Sequence, residues 1–171
     1  MASSRQWANA YARQAESDWR MCNLLRDAKG TPVPLCQYLH FLQMACEKLC
    51  KATLYQNSSP SEAVQTSHAY CQTVLPIIIR MKFSEQFDRK LGNRAQILAR
   101  FRQYSREIDL LAPAVDDNGK RNDNCEYPWE DSSGNVISPL DFQFPNLDFL
   151  KNPHGRLFLK LIAEAIDSLP K

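Results

Sequence analysis

The sequence predicts an all-α fold, an up-and-down bundle of four to five helices with a long irregular loop before the last helix. Five segments carry apolar residues at three- and four-residue intervals, the period of an amphipathic helix. Glycine occurs only 5 times and proline 10 times, and most prolines lie between the periodic segments. This distribution is typical of helices with defined breaks. The 171 residues, 44% of them hydrophobic, fit a single helical domain spanning 1–171.

The first two predicted helices each carry one apolar stripe and an acidic residue of interest. They span about 4–27 and 35–56. Asp18 falls on the first stripe, where a carboxylate must find a partner or remain near water. In the second helix, Glu47 and Lys51 have the spacing of an ion pair within one helix. We expect Asp18 and Glu47 to face each other and to shape a polar site, or else to form only a structural contact between the helices.

The next two predicted helices differ in how clearly their ends are marked. The third starts near Ser67, a suitable N-cap, and meets Pro76, which should kink or end it. The fourth is capped by Asn93 and ended by Pro113. Its apolar stripe recurs at alternating four- and three-residue steps: Ile97, Phe101, Tyr104, Ile108 and Leu111. Short connections between the early helices favour antiparallel neighbours.

Residues 112–152 form the long irregular loop, which is unusual within one domain and is expected to be functional or tied down by aromatic side chains. Tyr127 and Trp129 flank Pro128 and lie among acidic residues. They are either a hot spot for a protein partner or a clamp that fixes the loop to the bundle. The last helix then begins with Asn152 as its cap and proline at its first position.

Several classes of protein and site lack their sequence signals. No apolar run is long enough to cross a membrane and no secretory leader is recognisable, so we expect a cytoplasmic protein without membrane contact. There is no glycine-rich phosphate loop, nucleophile elbow or zinc-protease motif. Cys46 and Cys50 lie one turn apart, but no histidine or second cysteine pair complements them. We therefore predict neither a metal nor a cofactor.

Charge is unevenly distributed along the chain although its net value is only +2. Residues 80–106 carry a net +6, and residues 107–150 carry a net −8. The two segments either neutralise each other across the fold or provide an anion-binding face beside an acidic loop. Arg94, Arg102 and Arg106 follow one flank of the fourth helix and could bind phosphates. Tyr127 could supply a platform for stacking RNA bases.

Four short segments carry a resemblance to a known family. The first helix reads Ala-Arg-Gln-Ala-Glu-Ser-Asp-Trp over 12–19, and the second reads Gln-Met-Ala-Cys-Glu-Lys-Leu-Cys-Lys-Ala-Thr-Leu over 43–54. A Ser-His pair ends at His68, and a Tyr-Pro pair begins at Tyr127 after an acidic insertion. In this order the segments resemble the HEPN superfamily over most of the chain.

The resemblance implies a helical bundle that forms a homodimer, often with a cleft between protomers. It also implies roles in RNA cleavage, bacterial defence or toxin–antitoxin pairs, and partnership with a minimal nucleotidyltransferase. One feature departs from the family. Its ribonucleases carry an Arg-x4–6-His motif, whereas the required positions before His40, His68 and His154 hold no arginine.

These observations favour a non-nuclease HEPN-like module, an interaction or RNA- or nucleotide-binding component rather than an enzyme. Two alternatives stay open: a ribonuclease or nucleotide-processing enzyme with a substituted site that uses His68, and a structural adaptor that binds a protein through its acidic loop. The candidate ligand-binding residues are Asp18, Glu47, His68, Arg94, Arg102, Arg106 and Tyr127.

Overall fold

The helical elements dominate the computed structural model, which describes residues 2–28, 33–58, 60, 64, 67, 70–87, 93–113 and 124–170. The all-α prediction is confirmed. The α-helices within these ranges are α1 (Ser4–Asp27), α2 (Leu35–Asn57), α3 (Leu75–Gln86), α4 (Arg94–Asp109) and α5 (Pro153–Asp167). The other elements are β1 (Trp129–Glu130), β2 (Val136–Ile137) and a 3-10 helix (Pro145–Lys151). No described helix combines the length and apolar character needed to cross a bilayer.

Helices α1 and α2 form an antiparallel pair that packs along most of its length. Ala8, near the start of α1, packs with Tyr55 near the end of α2, and Cys22 lies beside Tyr38 at the opposite end of the pair. Small buried residues let the two backbones approach closely: Ala8, Ala12, Ala15, Ala45 and Ala52. The start of α1 is closed by a capping box between Ser3 and Gln6, which satisfies two backbone donors.

Pro76 starts a helix, and the prediction that it would kink or end one is wrong. Turns occupy 70–74, and α3 begins at Leu75 with Pro76 in its first turn. Proline is tolerated there because backbone N–H groups in the first turn have no acceptor within the helix. Asp109 holds the preceding turn in place, since its Oδ1 accepts a hydrogen bond of 3.1 Å from the backbone N–H of Gln72.

Helix α5 contacts each of the other four helices and the 3-10 helix. Its start agrees with the sequence prediction: Asn152 Oδ1 accepts a 2.8 Å hydrogen bond from the Gly155 N–H, and Pro153 occupies the first helical position. Its buried face consists of Gly155, Phe158, Leu159, Leu161, Ile162, Ala165 and Ile166. Because this face meets the other described helices, α5 completes the larger of the two apolar clusters.

The loop between α4 and α5 is fixed by aromatic side chains in its described part. Strands β1 and β2 pair antiparallel, with Trp129 opposite Ile137. The Trp129 ring lies edge-on to Phe142 at 5.1 Å between centroids, and Phe142 lies edge-on to Phe144 at 5.0 Å. Trp129 thus belongs to an aromatic cluster within the loop, and Phe144 joins this cluster to the apolar core. Residues 114–123, which hold part of the acidic segment, lie outside the described residues.

Candidate functional site

A group of charged and amide side chains lies between α1 and α2, within an otherwise apolar interface. We call it the α1–α2 polar cluster, and its members are Gln14, Asp18, Gln43, Glu47, Lys48 and Lys51. Gln14 and Asp18 are four residues apart on α1, and Gln43, Glu47 and Lys51 follow four-residue steps on α2. Lys48 lies beside this row. The two acidic residues singled out from the sequence, Asp18 and Glu47, belong to the same cluster and influence each other electrostatically.

Asp18 and Gln43 each have one buried acceptor oxygen without a hydrogen-bond donor among the described residues. The Oδ1 atom of Asp18 accepts a hydrogen bond of 2.9 Å from Gln14 Nε2. Its Oδ2 lies 4.0 Å from Lys48 Nζ and accepts no hydrogen bond from the described residues. Burial raises the pKa of Asp18, and repulsion by Glu47 adds to the rise, while Gln14, Lys48 and His40 offset part of it. Asp18 is therefore ionised less readily than an ordinary aspartate.

Glu47 is held from two sides and is buried. Its Oε1 lies 2.8 Å from Lys51 Nζ, and its Oε2 accepts a 3.1 Å hydrogen bond from Gln43 Nε2. Lys51 Nζ also lies 5.6 Å from the centroid of the Tyr11 ring, within range of a cation–π contact. These contacts fix the carboxylate of Glu47 rather than leave it free to meet a ligand.

His40 and Glu126 form an outer contact of the cluster that sequence reasoning missed. His40 Nδ1 lies 3.5 Å from Glu126 Oε1, and this contact joins α2 to the loop after α4. His40 also lowers the pKa of Asp18, so the imidazole belongs to the same electrostatic neighbourhood. The sequence offered one usable signal, because His40 precedes Gln43 and Glu47 at three- and seven-residue helical spacing.

The predicted arginine flank of α4 divides into two parts. Arg94 is used structurally: its Nη2 donates to Ser84 Oγ, and its guanidinium carbon lies 5.5 Å from the centroid of the Phe83 ring. Arg102 and Arg106 are exposed on α4, and neither forms an ion pair with a described residue. Only these two arginines of the flank remain available for an anion.

The other predicted site residues are scattered. Tyr127 is 60% exposed, whereas its neighbour Trp129 is buried. His68, the alternative catalytic residue, lies outside the described residues. His154 Nδ1 lies 3.0 Å from Arg100 Nη1, near the start of α5. The structure thus joins Asp18 and Glu47 but leaves the arginines and Tyr127 on other elements.

The cysteines are buried in the core. The thiols of Cys46 and Cys50 have raised pKa values, chiefly because of burial, and burial raises the pKa of Cys22 to about 12. Such thiols are poor nucleophiles. Within the described ranges, no three or more histidine, cysteine or acidic side chains are arranged to hold a metal ion.

Comparisons of the chain with family models, with curated proteins and with solved structures find no match.

Proposed function

We propose that the protein is a non-nuclease, HEPN-like module that forms a homodimer and binds RNA or nucleotides. The observation that carries the binding proposal is the pair Arg102 and Arg106, exposed one turn apart on α4 without a described acidic partner. Guanidinium groups present forked donors that match phosphate oxygens. The surrounding segment 80–106, with its net +6, would add to the attraction for a phosphate backbone.

The non-nuclease part of the proposal rests on the histidines and on the polar cluster. None of the three histidines follows an arginine at the spacing of the family's ribonuclease motif. The Glu47 carboxylate is buried and bound by Lys51 and Gln43, so its geometry favours a structural role. A cytoplasmic setting in bacterial defence or a toxin–antitoxin pair, with a nucleotidyltransferase as partner, follows from the resemblance alone.

A second candidate is an adaptor that binds a protein through the loop after α4. Tyr127 favours it, because an aromatic ring that is 60% exposed beside acidic residues suits a contact with a partner. Trp129, two residues further along the chain, packs against Phe142 and would keep the Tyr127 region in place. Recovery of one protein in a pull-down that fails with Tyr127→Ala, without any RNA binding, would favour this candidate.

The proposed function is tested by measuring oligomeric state and RNA binding on the same sample. Light scattering after size-exclusion chromatography should give the mass of a dimer. Fluorescence anisotropy with single-stranded RNA should show binding that weakens steeply with salt, and Arg102→Glu with Arg106→Glu should weaken it by about tenfold or more. The matched control is Arg5→Glu with Arg13→Glu, which makes the same charge change on α1 and should have a much smaller effect.

Three outcomes would contradict the proposal. A monomer would contradict the dimer, and equal losses in the two double variants would assign binding to net charge rather than to α4. RNA that is degraded by the wild type and left intact by His68→Ala would establish the enzyme alternative instead.

A further inference from the structure

A groove lies on the surface between α1 and α5, and the arginines of α4 are not among its lining residues. Its cavity volume is about 410 Å³, within the usual range for small-molecule sites. One wall follows α1 and the other follows α5, each with a stripe of residues at three- and four-residue steps. The lining residues are Trp19, Asn23, Arg26, Arg156, Leu159, Lys160 and Ala163.

Cations dominate the polar part of this lining. Arg26, Arg156 and Lys160 all line the groove, and no acidic side chain is among its lining residues. Arg156 and Lys160 lie one turn apart on α5, and Arg26 faces them from α1. Three positive charges around one opening concentrate potential where an anion would sit.

The existing partners of these cations are replaceable. Arg26 contacts Asp27 at 3.0 Å, and Lys160 lies 3.7 Å from Glu164; in both pairs the basic side chain is largely solvent-accessible. Exposed ion pairs contribute little to stability, so exchange for a stronger anion costs little. Arg156 Nη1 donates a 2.7 Å hydrogen bond to the backbone oxygen of Lys151. This bond restrains the side chain and leaves its other donors for a ligand.

The groove also has an apolar part. Trp19 provides an indole, and Leu159 and Ala163 provide aliphatic surface beside it. Asn23 adds an amide that can both donate and accept hydrogen bonds. Trp19 and Leu159 are 9% and 8% exposed, so they form a narrow apolar floor between the cations. A ligand with a flat apolar group would cover this floor, and a bare anion would not.

We propose that the groove binds a phosphomonoester whose phosphate carries a flat, largely apolar group. The two guanidinium groups and Lys160 would hold the phosphate, and the attached ring would lie against Trp19. A phosphate dianion fits better than a carboxylate because three cations line the site. This site is separate from Arg102 and Arg106, so the inference does not depend on RNA binding by α4.

The test is calorimetric titration of the full chain with phenyl phosphate, using inorganic phosphate and phenol as the two halves of the ligand. Phenyl phosphate should bind more tightly than phosphate, and phenol should not bind. Lys160→Gln should weaken phenyl phosphate about three- to tenfold, and Arg156→Gln with Lys160→Gln by more than tenfold. Arg5→Gln with Arg13→Gln is the matched control: both arginines are exposed on α1, neither lines the groove, and the affinity should stay unchanged.

A further variant guards against loss of fold through Arg156. Asn23→Asp places a carboxylate inside the groove without removing any cation, and it should weaken phenyl phosphate while the unfolding midpoint stays near that of the wild type. AMP and O-phosphotyrosine then distinguish a nucleotide from a phosphorylated protein side chain as the natural source of the group. The proposal is overturned if the wild type gives no binding up to about 10 mM phenyl phosphate, if phenol binds equally well, or if Asn23→Asp binds like the wild type.

Discussion

Lys51 Nζ lies 2.8 Å from Glu47 Oε1 across one turn of α2, and the two side chains are only 4% and 1% exposed. The same spacing on a solvated helix contributes a few tenths of a kcal/mol. Here both charges are removed from water, so their mutual attraction offsets part of the cost of burying them. Glu47 and Lys51 therefore form a buried ion pair within the α1–α2 interface rather than a surface contact.

We expect Glu47→Ala to lower the free energy of unfolding by about 3–5 kcal/mol, because it removes the buried carboxylate that lies 2.8 Å from the Lys51 ammonium. Urea denaturation followed by circular dichroism measures the change. Replacing both residues with methionine should cost much less than the two single changes together, since no uncompensated charge remains. If the losses of the two single variants simply add in the double variant, the two side chains are not coupled and this interpretation is wrong.

Asp18→Asn should stabilise the protein at neutral pH. Burial raises the pKa of Asp18 above its ordinary 3.8, so the folded state binds the proton more readily than the unfolded state. The ionised form therefore opposes folding above the folded-state pKa, and this penalty disappears as pH falls below 3.8. The stability difference between Asp18→Asn and wild type, measured by urea denaturation at several pH values, should be largest at neutral pH and should close in acid.

Asp27→Asn provides a control of opposite sign for Asp18. Asp27 is exposed, and its hydrogen bond with Arg26 lowers its pKa. Its removal should not stabilise the protein at any pH. A rise in stability in both variants would attribute the effect at Asp18 to general charge reduction rather than to burial.

Local signals in the sequence were enough to place the ends of α1 and the start of α5. The Asn152-Pro153 cap depends on neighbouring backbone groups alone, and the structure contains it as expected. Pro76 was misjudged because proline either ends or starts a helix, and only tertiary packing decides which turn it occupies.

Of the candidate site, only the positions that follow helical spacing could be predicted from the sequence. The sequence indicated that Asp18 falls on the apolar stripe of the first helix and that Glu47 and Lys51 have the spacing of an ion pair within the second. The contact between His40 and Glu126 joins residues far apart in the chain, so no local sequence pattern predicts it. Arg94 likewise contacts Ser84 only because of how α3 and α4 pack, a relationship that helical spacing does not contain.

Trp129 and Tyr127 should respond very differently to truncation, although they are two residues apart. Trp129 is buried against Phe142, and replacing it with alanine should cost about 3–5 kcal/mol of unfolding free energy. Tyr127 is 60% exposed, so Tyr127→Ala should stay within about 0.5 kcal/mol of the wild type. Thermal and urea unfolding of the two variants tests the clamp, and similar losses in both would show that Trp129 does not anchor the loop.

Gly155 is required by the close approach of the 3-10 helix to the first turn of α5. A Cβ at this position would lie 1.9 Å from the backbone oxygen of Phe149 and 2.8 Å from Leu150 Cα. Because both contacts are backbone atoms, relief requires the 3-10 helix to move as a unit. Gly155→Ala should therefore lower the free energy of unfolding by about 1–3 kcal/mol or more, as measured by urea denaturation.

A substitution at Gly134, in the turn between β1 and β2, is the control for Gly155→Ala. It strains the backbone without causing a steric clash. The φ of Gly134 is +82°, and a Cβ there would meet nothing within 4 Å. Gly134→Ala should cost about 1–2 kcal/mol through backbone strain alone, and it should leave the packing around α5 intact. Hydrogen exchange distinguishes the two: Gly155→Ala should speed exchange in the first turn of α5, whereas Gly134→Ala should act only near the hairpin. Unchanged exchange in α5 of Gly155→Ala would contradict the close approach to the 3-10 helix.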